Sequence, residues 1–280
     1  MVKKAFDFVK IVELPPKPRQ TGIIEMRGPY YAPITYGYLK DLLDDWGEYI
    51  DGVKFAGGSQ RLLTQSRVKQ IIKLCHDHDL YVSTGGFIER VVVQGSSAVD
   101  QYLEECKELG FDVVEVSSGL APISLEDKVR MVKRVKKLGM KPKPEITMMI
   151  GAGAGTRVAG YEMKMRKLED VIAEVKAHQK AGAEIFMFES EGITEDMPPE
   201  TWRVDVIKKL VDEFGYKIWM FEAAEPAVFK WYLKNIARDV NLFIDNSQIV
   251  EFNAWRLGLW GDRDIWKGKK LSYQASGETI

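Results

Sequence analysis

FDVVEVSSGLAPIS, residues 111–124, opens as a buried apolar run and ends in a carboxylate, two hydroxyls and a glycine. Its first half reads as a short parallel strand, and ISLED with KVRMVKRVKKLG beyond it reads as a helix. Ser124 and Asp127 have capping-box spacing, Val129, Val132 and Val135 recur at helical period, and Gly139 stops the run. The same unit recurs along the chain. Apolar runs stand at TGIIEM (21–26), DGVKFA (51–56), LYVSTG (80–85), PEITMMI (144–150), AEIFMFE (183–189), KIWMFE (217–222) and VNLFID (240–245). Their spacing of roughly thirty residues is that of a βα unit. Eight such units predict an α/β fold, a single (β/α)8 TIM barrel over residues 21–262. An open doubly wound sheet with an extra unit is the rival architecture, because strand count alone does not prove closure. Residues 1–20, with LPPKPRQ, read as an irregular lead-in, and 263–280 as a loosely held tail.

In a parallel barrel the active site lies where the C-terminal ends of the strands meet. Period-two alternation sends Glu115 and Ser117 of strand four into the lumen, with Met187 and Glu189 of strand six and Ile218, Met220 and Glu222 of strand seven. Glu145 lies on strand five and Asp245 ends strand eight. Lys54, on strand two, and Arg27, just past strand one, oppose this set. Desolvated carboxylates without cations would be costly, so lysine, arginine or a divalent ion must compensate. An oxygen-rich ligand set suits magnesium better than zinc. A purely structural ion-pair layer is the alternative use of the same residues.

Glycines cluster after consecutive strands: Gly57-Gly58, Gly85-Gly86 and Gly119. Small residues there let backbone N–H groups approach an anion, with Ser117 and Ser118 alongside. GAGAGT (151–156) is not a nucleotide P-loop, since Gly155 stands where the lysine must be. A mobile loop or a secondary anion contact through Arg157 is one expected use, and a plain flexible lid is the other. His76, His78 and His178 fall in helices, and no Ser–His–Asp set can be assembled at the strand ends.

The 280 residues carry 40 Lys+Arg against 41 Asp+Glu, so no global field points to nucleic acid. No apolar stretch has the length of a signal peptide or a membrane span. Cys75 and Cys106 lack metal or redox spacing and read as reduced, buried thiols. A cytoplasmic protein is expected. The aromatic helix FKWYLKNIA (229–237) is either packed on the barrel or the interface of a homo-oligomer, the expected state.

LPPKPR, YIDGVKFAGGS, STGGFIE, GFDVVEVSSG, KPEI, FEAAEP and NLFIDNSQIVEFNAWRLGLWGD together resemble the phosphosulfolactate synthase family, in order and over nearly the whole chain. The flavour is that of a divergent eukaryotic branch that includes heat-stress-associated proteins of plants. The resemblance implies a (β/α)8 barrel and, in enzymatic members, Mg²⁺-assisted addition of sulfite to phosphoenolpyruvate. It implies catalytic roles for Lys54, Arg27, Glu115 and Glu145, and metal ligation by Glu189, Glu222 and Asp245. Gly57, Gly58, Gly85, Gly86, Ser117, Ser118 and Gly119 would line the anion site, and Glu251 matches a further acidic position.

Four positions, in three segments, depart from the family pattern. Met26-Arg27-Gly28 replaces Asp-Lys-Gly, Ser118 stands where an aspartate is common, and Trp260 replaces an arginine. If these changes erode the site, the chain is a catalytically degenerate barrel that acts through protein partners in heat-stress tolerance. A lyase or aldolase acting on another phosphorylated or carboxylated small molecule is the third reading.

Overall fold

The computed structural model describes residues 4–151, 164–195, 197–223 and 225–262. The expected lid around Arg157 and the tail 263–280 lie outside the described residues, apart from Gly151. Eight parallel strands close into a barrel: β1 (Ile24–Arg27), β2 (Gly52–Lys54), β3 (Tyr81–Ser83), β4 (Val113–Val116), β5 (Lys141–Ile146), β6 (Phe186–Phe188), β7 (Trp219–Glu222) and β8 (Asn241–Asp245). Each strand pairs with its neighbours in sequence, and β8 closes on β1 through Ile24↔Leu242 and Arg27↔Asp245. Closure removes every sheet edge and disposes of the open-sheet alternative. A two-residue antiparallel pair, Met149–Ile150 with Lys164–Met165, sits outside the barrel.

The helices begin where the sequence signals stand. Thr64 accepts from the N–H of Arg67 to cap α2 (Gln65–Asp77), and Ser124 accepts from Asp127 to cap α5 (Leu125–Lys137). The buried face of α5 holds Lys128, Met131, Val132 and Val135, while Val129 is only half-buried. Lys128 can be inside because Glu174 of α6 (Leu168–Ala181) receives its ammonium. The remaining α-helices of the described residues are α1 (Tyr36–Trp46), α3 (Ile88–Val92), α4 (Ser96–Leu109), α7 (Val204–Phe214), α8 (Pro226–Asn235) and α9 (Ile249–Arg256). Phe229, Tyr232 and Leu233 of α8 are buried, so most of the aromatic helix packs on the barrel.

Alternation divides each strand cleanly. Phe186, Phe188, Trp219 and Phe221 join the core between sheet and helices, whereas Met187, Met220 and Phe243 form a separate cluster in the lumen with Ile23 and Ile185. Ile218 precedes β7 and packs with the helix-side core instead of the lumen. The lead-in is fastened across the N-terminal end of the barrel. Arg19 pairs with Asp51 at 2.8 Å, Asp51 also accepts from the N–H of Ile24, and Lys17 donates to the carbonyl of Gly47. Among the described residues, no helix is long and apolar enough to cross a membrane.

Met26 is fully buried in the helix-side core, with Glu25 and Arg27 on either side of it directed inward. Met26→Asp is therefore expected to place an unpaired carboxylate among hydrocarbon and to destabilise the fold by about 3 kcal/mol or more. A urea-denaturation midpoint checks this, and an unchanged midpoint would put the residue 26 side chain elsewhere.

Candidate active site

The lumen is wired by charge. Lys143 of β5 donates to both oxygens of Glu25 at 2.5 and 2.7 Å and lies 3.3 Å from Glu115. Glu115 in turn pairs with Lys54 at 2.9 Å. All four side chains are buried, so each charge relies on its partners. Burial alone would raise the Glu115 carboxyl, but Lys54 and Lys143 outweigh it and hold it below the usual carboxylate range. Burial likewise pulls Lys54 down, and Glu115 with Glu25 more than reverses that, so its ammonium is held. The sequence reading anticipated Lys54 and Glu115. It missed Glu25 and Lys143, although each shares strand parity with a residue it named.

Nearer the C-terminal mouth, Arg27 donates through Nη2 to Glu222 at 2.5 Å. Its Nε and Nη1 are buried without a hydrogen-bond partner among the described residues, and the side chain lines a cavity of about 310 Å³. Lys54, Ser117, Glu145 and Glu189 face the same cavity. Both cations rest on the ring of Phe243, at 4.8 Å for Arg27 and 4.3 Å for Lys54. A guanidinium with two unbonded donors and an ammonium lining one chamber are groups that can receive an anion. Arg27→Lys, which keeps the charge but loses the fork, is expected to weaken binding of inorganic phosphate roughly tenfold. Calorimetric titration measures it, and equal affinity would remove Arg27 from that role.

Two carboxyls on this chamber are shifted toward the protonated form. Burial and the charge of Glu115 push Glu145 up to about 8. Burial, then Glu222 and Glu145, raise Glu189 well above the usual range. Oxygens of Glu189, Glu195 and Glu222 lie within 4.8 Å of one another and could hold a cation. Asp245 is absent from that group. Its Oδ1 is engaged locally, accepting from the N–H of Ser247 at 3.0 Å and its hydroxyl at 2.7 Å. Glu195, in a loop with no strand parity to flag it, joins Glu189 and Glu222 in that group.

The glycines serve packing more than anions. Gly57 and Gly58 adopt left-handed conformations, and a Cβ would strike the rings of Tyr30 at 2.1 Å and Phe87 at 2.5 Å. Gly85 admits the carbonyl of Phe55. Only Gly57 and Gly86 of these four line the cavity, and Gly86 lies over Ser117. The N–H of Gly119 donates to Glu89, not to open space, and Ser118 is half-buried off the cavity lining. Glu251 forms a surface pair with Lys230.

The profile described as (2R)-phospho-3-sulfolactate synthase (ComA) matches residues 12–262. The chain belongs to the phosphosulfolactate synthase family. Protein HEAT-STRESS-ASSOCIATED 32 of Arabidopsis thaliana is 32% identical over 253 residues, 86% of this chain and 88% of that protein. Phosphosulfolactate synthase of Methanocaldococcus jannaschii is 28% identical over 239 residues, 80% of this chain and 88% of that one. Among solved structures, N-acetylneuraminate lyase from Mycoplasma synoviae superposes with a TM-score of 0.50 at 12% identity, covering 83% of this chain and 70% of that one, a likeness of fold alone. Within the phosphosulfolactate synthase family, three of the four expected departures fall away from the chamber, Ser118 among them. Met26 faces the helices, and Trp260 is 69% exposed. Arg27 alone of the replaced positions touches the site, and it retains the positive charge.

Proposed function

We propose that this protein adds sulfite to phosphoenolpyruvate as a carbon–sulfur lyase of the phosphosulfolactate synthase type. The observation that carries the reading is one chamber lined by two buried cations, one with unbonded donors, and by a buried carboxyl shifted toward the protonated form. Arg27 and Lys54 bind and orient the oxyanions of the substrates. Sulfite sulfur forms a bond to the methylene carbon, and the electron pair of the double bond moves to the neighbouring carbon, conjugated with the carboxylate. Glu145 gives its proton to that carbon, completing the addition. The low-dielectric chamber strengthens each of these contacts.

The lumen pairs are balanced: Arg27 with Glu222, and Lys54 and Lys143 with Glu115 and Glu25. An entering polyanion brings charge that these pairs do not cancel. Glu189, Glu195 and Glu222 would hold Mg²⁺, as hard oxygen donors suit it, and its charge would steady the substrate carboxylate. Incubation with phosphoenolpyruvate, sulfite and Mg²⁺, followed by phosphorus NMR, tests the reaction.

A barrel without chemistry that works through protein partners is the second reading. It is favoured by the higher identity to the plant heat-stress-associated protein than to the archaeal synthase. A folded protein that neither binds nor converts the reactants would support it and sink the lyase.

A further inference from the structure

Glu89, at the start of α3, reaches across to the loop after β4. Its Oε2 accepts from the N–H groups of Leu120 at 2.7 Å and Ala121 at 2.6 Å, and its Oε1 accepts from Gly119 at 3.0 Å. The same Oε1 is hydrogen-bonded to the hydroxyl of Ser117. That hydroxyl also lies 2.8 Å from Oε1 of Glu145. A serine has one proton to give, so it cannot donate to both carboxyls. Amide N–H groups make both Glu89 oxygens acceptors, which leaves Ser117 to donate to Glu89 and to accept from Glu145.

We propose that Glu89 is a positioning residue: by taking the only proton of Ser117, it turns the hydroxyl's lone pair toward Glu145 and obliges that carboxyl to stay the proton donor of the chamber. The inference rests on Glu145 being the acid of the proposed reaction. The other groups acting on Glu145 are Glu115 of β4, Lys54 of β2 and Glu189 beyond β6. Glu115 and Lys54 act on Glu145 whichever way the serine points, so the direction of the hydroxyl is the property Glu89 controls.

The test follows the protonated carboxyl of Glu145 by infrared difference spectroscopy across a pH titration, with the band assigned by its loss in Glu145→Gln. Ser117→Ala removes an acceptor from the protonated form, so the titration midpoint is expected to fall. A rise would mean that serine donates to a Glu145 carboxylate, and would overturn the inference. Glu89→Gln can keep the bonds to Leu120 and Ala121 through its amide oxygen while its NH₂ donates to Ser117. The serine proton then turns to Glu145, and the proton affinity of Glu145 is expected to drop at least tenfold. Lost charge at position 89 acts in the same direction, and the double variant separates the two effects. In the Ser117→Ala background the Glu89→Gln drop is expected to shrink by more than half. An undiminished drop would leave only charge at work and overturn the positioning role. Ser117→Ala keeps all three amide bonds to Glu89, so this arm survives if Glu89→Gln fails to fold. Because the readout needs no turnover, failed synthase activity with these shifts present would reject the reaction and not the hydrogen-bond direction.

Discussion

Lys54→Met is expected to cost about 3–5 kcal/mol of stability, the usual cost of removing one partner from a buried ion pair, and to abolish measurable phosphate binding. The sequence alone suggests a milder outcome, a lost anion site in an intact barrel. The structure argues otherwise. Lys54 is 2.9 Å from Glu115, whose other cation, Lys143, is already engaged by both oxygens of Glu25. Removing Lys54 leaves one lysine to neutralise two buried carboxylates. Glu115 must then remain charged without adequate compensation or take up a proton. Adding Glu115→Gln should recover most of the lost stability, because the orphaned charge is gone, but should not recover phosphate binding. Chemical denaturation and calorimetry on the single and double variants decide it. If the single variant unfolds at the wild-type midpoint, Lys143 serves both carboxylates and the lumen charges are not coupled as described.

The barrel and much of this charge set are legible in the sequence because both follow from period two in short strands. Glu115 and Glu222 each end a run whose alternate residues are apolar, so parity and height are fixed together. The height of Glu145 is set by β5, which spans Lys141–Ile146 with Lys143 in register with Glu115, and the run PEITMMI does not show where that strand starts. What parity cannot carry is competition for a side chain. Asp245 has the position expected of a ligand but is engaged by Ser247 two residues on. Gly57 and Gly58 look like an anion cradle, yet their missing Cβ atoms make room for Tyr30 and Phe87, contacts set by folding. Glu89 carries no strand signal, because its partners lie across the mouth in another loop. A short helix after Gly85-Gly86 gives it reach, and nothing local marks its target.

Glu145→Gln is expected to make the protein more stable in mild alkali while ending its proton chemistry. The folded carboxyl titrates at about 8, whereas an unfolded glutamate titrates near 4.3. Between those values the folded state binds more protons than the unfolded one, so Glu145 makes stability fall as pH rises through this window. Below the window both states are protonated and the residue contributes no slope. Above it both are ionised and the full penalty of a buried carboxylate is felt. Glutamine has the shape of the protonated acid and can donate its N–H to Ser117 in place of the carboxyl proton, so little is lost at low pH. Wild type and variant should therefore unfold alike near pH 4, with the variant ahead by about 5 kcal/mol well above pH 8. Glu189 titrates in both proteins, but the loss of the Glu145 charge lowers it as well, so the difference between the pH profiles reports Glu145 together with its effect on Glu189. On the proposed reaction, the same substitution removes the proton given to the adduct, and conversion of phosphoenolpyruvate should cease even where the fold is firmer. Stability given up for an acid in a buried chamber is the expected signature of a working site. Parallel pH profiles for the two proteins would show that Glu145 is ionised in the native chamber and would remove it as the proton donor.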